Sequence, residues 1–302
     1  MRLTIGAFPL ATRTQGLVLG CAILLTGGLV MIFLASWIMG GLGQGSEFGL
    51  RGSSRIGLVV LEGPIGDDRD LLDEIEDLRR DDSIKSVVLR VDSPGGDVGA
   101  SQELHDAVSR LAADKPVVAS VGSVMASGAY YAAMAADSIV CTPGAVVGSI
   151  GVILSYPTAA TLLDKIGVEW RVYKSGPLKD MGSFSRNPTE DEEAVFDSII
   201  SDVYDQFVSA VVADRGLSRD DVLPLADGRI FTGRQAMDAG LVDRLGDYQD
   251  AVVMAAAMGG IPPETPVVHH ARPRIPLLDL IDHLLHEQAR ASWGPHVEYR
   301  LK

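Results

Sequence analysis

The sequence is short of several residue types on which common sites are built. It holds two cysteines, Cys21 and Cys141, in 302 residues. That is too few for a disulfide framework or a Cys-rich zinc site. Histidine occurs six times, at His105, His269, His270, His283, His286 and His296, and never from residue 106 to residue 268. The neighbouring pairs His269-His270 and His283/His286 lack an obvious third ligand, so no metal and no cofactor is expected. Lysine is equally scarce, at Lys85, Lys115, Lys165, Lys174, Lys179 and Lys302. Basic residues number 26 against 40 acids, a net charge of −14. This balance argues against a nucleic-acid partner, because phosphate neutralisation needs clustered Lys and Arg. With 22% charged and 47% hydrophobic residues, the composition is that of a folded chain.

Acids are missing altogether from residues 1–43, and no charge of either sign occurs from Gly16 to Met39. As a helix, those 24 residues would measure about 36 Å, enough to span a bilayer core with some tilt. The run is longer than the apolar region of a cleaved signal peptide, and Gly41-Leu42-Gly43 is a poor cleavage site. A retained anchor is therefore expected at 16–39. Arg2 and Arg13 precede it, which puts residues 1–15 in the cytoplasm and the remainder outside. The outer part carries 24 of the 26 basic residues and all 40 acids, a net −16. Residues 40–55 read as a linker, flexible through its glycines, 56–261 as the folded domain, and 262–302 as a Pro-rich tail. Within the tail, Leu277, Leu278, Ile281, Leu284 and Leu285 form an apolar helical face.

From Ile56 onward, short apolar runs alternate with helical periodicity. Strands are predicted at 56–61, 85–91, 116–121, 137–141, 152–154 and 168–173. Helices are predicted at 69–80, 97–112, 127–136, 162–166, 189–214, 232–239 and 248–258. Such alternation implies βαβ units and an α/β fold with a largely parallel sheet.

Two strand-to-helix turns could carry chemistry. In Asp92-Ser93-Pro94-Gly95-Gly96-Asp97, adjacent glycines let backbone N–H groups turn toward an anion. A plain turn with Asp97 as N-cap is the simpler alternative. In Gly122-Ser123-Val124-Met125-Ala126-Ser127-Gly128, Ser127 falls at the start of a helix, where unpaired N–H groups favour a developing negative charge. Ser127 or Ser123 could equally be an ordinary N-cap. A nucleophilic serine needs a base, and the empty histidine stretch leaves His105 or a folded-back tail, neither well placed. Lysine is the other candidate. Lys85 and Lys115 precede strands, and Lys165 caps a helix. Lys174 and Lys179 remain, both in the Gly/Pro loop KSGPLKDMG, a setting where functional groups concentrate. A lysine base must release its proton near pH 7. That requires a pKa about three units below 10.4, roughly 4 kcal/mol, and so a dry pocket with a hydrogen-bond partner.

Taken together, DSPGG at 92–96, SVMASGAYYAA at 123–133, VVGSIGV at 146–152, KSGPLKDMGS at 174–183 and GRIFTGRQAMDAGLVDRLG at 228–246 resemble the signal peptide peptidase A family. The resemblance implies a ClpP/crotonase-like fold of repeated ββα units and a serine endopeptidase with a Ser/Lys dyad. Carried over, Ser127 matches the nucleophile, Lys179 the general base and Ser149 the serine that orients the lysine. Pro94-Gly95-Gly96 matches the oxyanion loop, completed by the amide of Gly128. Histidine-using proteases of this fold place their base near Gly148-Ser149-Ile150, in keeping with its replacement here. The implied substrates are remnant signal peptides and other apolar peptides. The implied setting is a ring-like homo-oligomer in the bacterial cytoplasmic membrane, with its domain on the periplasmic side. A membrane protease processing one dedicated protein, a crotonase-type acyl-CoA enzyme and a non-catalytic membrane scaffold are the alternatives.

Overall fold

The computed structural model describes residues 54–269 and the backbone of 296–300. The expected anchor at 16–39 and the apolar face at 277–285 lie outside the described residues. Among the described residues, no helix is long and apolar enough to cross a membrane.

The chain begins with β1 (Arg55–Glu62), α1 (Arg69–Arg80), β2 (Ile84–Ser93), the short β3 (Gly95–Asp97) and α2 (Val98–Asp114). It continues with β4 (Val117–Ala126), α3 (Gly128–Ala133), β5 (Ser138–Cys141), β6 (Val146–Gly148), β7 (Ile153–Ser155) and α4 (Ala160–Ile166). Then follow α5 (Glu190–Arg215), α6 (Arg219–Val222), β8 (Ile230–Thr232), α7 (Gly233–Asp238), β9 (Arg244–Leu245), α8 (Tyr248–Met258), β10 (Val267–His269) and β11 (His296–Arg300). The main sheet runs β10-β1-β2-β4-β5-β9, parallel throughout, with β6 beside the far end of β4 and β8 antiparallel to β6. A second small sheet has the order β3-β11-β7.

The sheet is covered on both faces, so its central strands read as unbroken apolar runs. Val59, Leu61, Val87, Leu89, Val117, Ala119 and Ile139 face one core, which takes Ile75 and Leu78 from α1, Leu104, Val108 and Leu111 from α2, and Phe207, Val208 and Val211 from α5. The alternate residues Ile56, Val88, Val118 and Val140 face the other side and meet Ala251, Val252, Ala255 and Ala256 of α8. Each such fully buried aliphatic side chain is worth about 1.5–3 kcal/mol. The long helix α5 starts at a capping box, in which Thr189 and Glu192 satisfy each other's backbone N–H groups. It stops at Gly216, whose left-handed φ of 62° closes the last turn.

The structure departs from the sequence reading in four places. The segment 168–173 is not a strand; Val168, Trp170 and Val172 alternate as strand residues do, yet all are exposed. Strand β4 continues through Ala126, where a turn was expected after Val121, because its second half pairs with β6. Helix α3 holds six residues where ten were expected. The domain also passes the expected boundary at 262, since β10 pairs with β1 in parallel, Ile56 opposite Val267.

Candidate active site

The parallel pair β4–β6 aligns the two serines singled out above. Val124, Met125 and Ala126 lie opposite Val146, Val147 and Gly148. The next position on each strand is Ser127 and Ser149. Both leave their strands through a left-handed backbone, with φ of 54° and 53°, and they are the only non-glycine residues with positive φ among the described residues. Hydrogen bonds fix where the turns begin. Ser127 N–H donates to Gly148 C=O at 2.7 Å, and Ser149 N–H donates to Arg229 C=O at 2.8 Å. Each bond continues the ladder by one residue, and the chain turns away directly after it. At φ 54° and ψ −118°, Ser127 occupies a region that residues with a Cβ enter at a cost of about 1–3 kcal/mol. Ser127 is 1% exposed and Ser149 7%. The Ser127 hydroxyl makes no capping bond to α3. The amide of Gly128 belongs to the first turn, where N–H groups have no partner within the helix.

The DSPGG turn is brought alongside. Ser93 of β2 lies opposite Met125 of β4, two residues before Ser127, across a bulge. Asp92 Oδ1 accepts the Val124 N–H at 3.0 Å and holds the two strand ends in step. The two glycines then differ. Gly95, at φ 89°, donates its N–H to Ser93 Oγ at 3.2 Å, so this amide is engaged. Gly95 C=O accepts from Ile65 N–H at 3.0 Å, and Asp97 N–H donates to Ile65 C=O at 3.1 Å. By strand alternation, the N–H and C=O of Gly96 point the opposite way, toward β11. Only glycine fits there, because a Cβ on Gly96 would stand 2.0 Å from the Ile65 carbonyl oxygen.

The lysine loop lies before α5. Lys174 Nζ donates to Pro177 C=O at 2.8 Å and to Asp180 Oδ1 at 2.5 Å. Arg186 bridges Asp180 and the buried Glu192 of the α5 capping box. Hydrogen bonds from Arg186, then from Lys174, hold the Asp180 carboxyl well below the usual carboxylate range. The Glu192 carboxyl is held at about 2, chiefly by its hydrogen bonds with Arg186. The residue that follows Lys179 is thus pinned to the start of α5. Lys179 itself is exposed; its backbone N–H donates to Gly176 C=O at 3.2 Å, but its side chain makes no hydrogen bond or ion pair among the described residues. The single chain therefore brings Ser127, Ser149 and the glycine turn together but does not link Lys179 to either serine. The dry pocket expected for a lysine base is absent around Lys179 as described. Of the two candidate lysines, Lys174 is committed to Asp180 and Lys179 is not.

His105 plays no part at the serines. Its Nε2 lies 2.7 Å from Asp214 of α5 and its Nδ1 3.3 Å from Asp106, and its ring packs on Tyr131 at 5.1 Å. Burial pulls its pKa down, but the hydrogen bond and charge of Asp214, helped by Asp106, more than offset this and leave it raised. Among the described residues no cluster of His, Cys, Asp and Glu could hold a metal ion. Two features escaped the sequence reading: the Gly148 carbonyl that accepts the Ser127 N–H, and the β3-β11-β7 sheet. The first had a signal in Gly148-Ser149. The second had none, since β11 lies 27 residues beyond β10.

Comparison with known proteins gives these features a context. The family model for peptidase family S49 matches residues 109–261, and the model for Clp protease matches 56–147. A putative protease of Synechocystis sp. is 46% identical over 179 residues, 59% of this chain and 65% of that protein. A putative signal peptide peptidase SppA of Enterococcus faecium is 38% identical over 185 residues, 61% of this chain and 54% of that protein. The chloroplastic serine protease SPPA of Arabidopsis thaliana is 34% identical over 214 residues, 70% of this chain and 32% of that protein. The chain thus spans less than two thirds of the length of each of these relatives.

Proposed function

The chain belongs to peptidase family S49, the family of signal peptide peptidase A, and from that premise we propose that it is a membrane-anchored serine endopeptidase with Ser127 as nucleophile and Lys179 as general base. The observation that carries this reading is the pairing of Ser127 with Ser149 at the ends of adjacent parallel strands, both in left-handed conformations, beside a glycine turn. In the proposed reaction, neutral Lys179 takes the proton from Ser127 Oγ as that oxygen bonds to the peptide carbonyl carbon. The carbonyl oxygen becomes an oxyanion that accepts hydrogen bonds from the N–H groups of Gly96 and Gly128. Gly95 shapes the turn that presents Gly96. The C–N bond then breaks, Lys179 returns the proton to the leaving amine, and water hydrolyses the acyl-enzyme. Ser149 orients the Lys179 amine.

An exposed Lys179 calls for an enclosing surface, and a neighbouring copy of the chain is the proposed source. Leu162, Ile166, Val168, Trp170 and Tyr173 are exposed just before the lysine loop, with Tyr173 at 93%. Such apolar patches mark interaction surfaces, which supports the ring-like homo-oligomer. An anchor at 16–39 would keep the site close to its substrates, proposed to be remnant signal peptides and other apolar peptides of the cytoplasmic membrane. The test is hydrolysis of apolar peptides by the full chain in detergent. Ser127→Ala should fall to background and Lys179→Ala should lose at least about 100-fold in kcat/KM. Lys174→Ala should keep most activity. Full activity in either of the first two variants, or equal losses at Lys174 and Lys179, would overturn the assignment.

A further inference from the structure

The loop that carries Lys179 is tied to the domain through one carboxylate. Asp180 has a cation six residues before it and another six residues after it. Arg186 donates from Nε to Asp180 Oδ2 at 3.1 Å and from Nη2 to Oδ1 at 2.8 Å. Lys174 Nζ adds a third bond, to Oδ1 at 2.5 Å. The backbone of Asp180 is held as well. Its C=O accepts from Ser183 N–H at 3.1 Å and from Arg186 Nη2 at 3.3 Å. Arg186 is fixed from its other side by α5. Its Nη1 donates to Glu192 Oε2 at 2.8 Å, and its Nη2 also reaches Glu192 Oε1. The Glu192 side chain is 1% exposed, and its Oε2 accepts the Thr189 N–H at 2.9 Å. One guanidinium therefore spans from the first turn of α5 to the residue after Lys179. Hydrogen bonds from Arg186, then from Lys174, keep the Asp180 carboxyl ionised throughout the neutral range.

We propose that Asp180 and Arg186 are the positioning residues of the lysine base, stapling its loop to α5 so that the Lys179 amine acts from a fixed backbone. This role rests on the Ser127/Lys179 reading and deepens it. Without the staple, the loop is a run of single turns, closed by Lys179 N–H to Gly176 C=O, Met181 N–H to Leu178 C=O and Ser183 N–H to Asp180 C=O. Ordering a residue costs about 1–2 kcal/mol, which exposed turn bonds of about 1 kcal/mol each do not reliably offset. Proton transfer is sensitive to such loosening, since a misplacement of about 1 Å can cost about 100-fold. Arginine suits the task because its planar fork bonds two carboxylates at once, whereas an ammonium is a point charge. Lys174 is secondary. Without it, each Asp180 oxygen still has a bond from Arg186. Neither Asp180 nor Arg186 bonds to the serine turns or the glycine turn among the described residues, so their loss should act on kcat and not on KM.

The experiment uses the full chain in detergent and an internally quenched synthetic peptide of alanine and leucine as substrate. Three variants are compared: Asp180→Asn, Arg186→Lys and Lys174→Ala. Asp180→Asn leaves the Arg186–Glu192 contact in place, so it should fold even if Arg186→Lys does not, and circular dichroism checks this. Asp180→Asn and Arg186→Lys should each lower kcat by about 10- to 100-fold with KM unchanged. Lys174→Ala should keep most of its kcat. Amide exchange, followed in the same variants with Ser127→Ala added, should quicken at 176–183 in the first two and not in the third, while 117–126 stays protected. Unchanged kcat or exchange in Asp180→Asn, a loss in KM instead of kcat, a loss that only tracks the unfolded fraction, or equal losses in all three variants would overturn the positioning role. The exchange readout needs no catalysis, so the two failures are distinguishable. A fully active Lys179→Ala would overturn the base assignment and this role with it, whereas an inactive Lys179→Ala beside a fully active Asp180→Asn would overturn the positioning role alone.

Discussion

Replacing Ser127 with glycine should make the protein more stable while removing its proposed nucleophile. At φ 54° and ψ −118°, a residue with a Cβ bears about 1–3 kcal/mol of backbone strain, which glycine does not. Glycine's larger entropy in the unfolded chain returns about 0.5–1 kcal/mol. The hydroxyl makes no capping bond, so no such hydrogen bond is lost. The net gain is up to about 2.5 kcal/mol. For a domain of this size, 1 kcal/mol moves the midpoint by about 2–4 °C, so Tm should rise by up to about 10 °C in Ser127→Gly. Ser127→Ala is the control. It removes the oxygen but keeps the Cβ, and should stay within about 0.5 kcal/mol of the parent. Thermal unfolding followed by circular dichroism, with urea titration as a second measure, separates the two. If glycine lowers Tm, or if alanine raises it as much as glycine does, the strain argument is wrong.

Two further outcomes follow from the charged contacts. Arg186→Met strips the main partner from the buried Glu192 carboxylate and releases Asp180 beside Lys179, and should cost about 3 kcal/mol in a urea titration; a loss below about 0.5 kcal/mol would mean the bridge is incidental. His105 has a raised pKa in the folded state, so its pairing with Asp214 stabilises fully below the unfolded value near 6.5 and fades as pH rises through the folded value. His105→Asn should therefore lower Tm more at pH 5.5 than at pH 8.5, and equal shifts at both pH values would refute that linkage.

Much of the domain was legible because its sheet is covered on both faces. Runs such as IGLVVL and KSVVLRV can only be buried strands when bounded by charged turns, and α1 and α8 matched their helical patterns to the residue. The segments that misled did so for tertiary reasons. Residues 168–173 have strand chemistry with no edge to join, and GSVMA looks like a small-residue turn until β6 supplies a partner. At the site, Ser127 and Gly96 stood out as residues of strand-to-helix turns, whereas Ser149 was marked only by the family resemblance. The pairing of the two serines was not legible, because it depends on a register between strands that no local pattern encodes. The exposed state of Lys179 was also invisible, since a Gly/Pro loop fixes neither burial nor the source of a neighbour.

The parallel pairing of β1 with β10 also bears on how the domain comes into being. Ile56 meets Val267, 211 positions further along the chain. At about 5–20 residues per second, a ribosome needs on the order of 10–40 s to travel that distance. Throughout that interval the outer edge of β1 has no neighbour, and its IGLVVL sequence is the kind of apolar edge that invites intermolecular pairing. The newborn domain must therefore keep this edge shielded during synthesis until Val267–His269 has been made, and a chain stalled before Pro266 would carry a sticky flank.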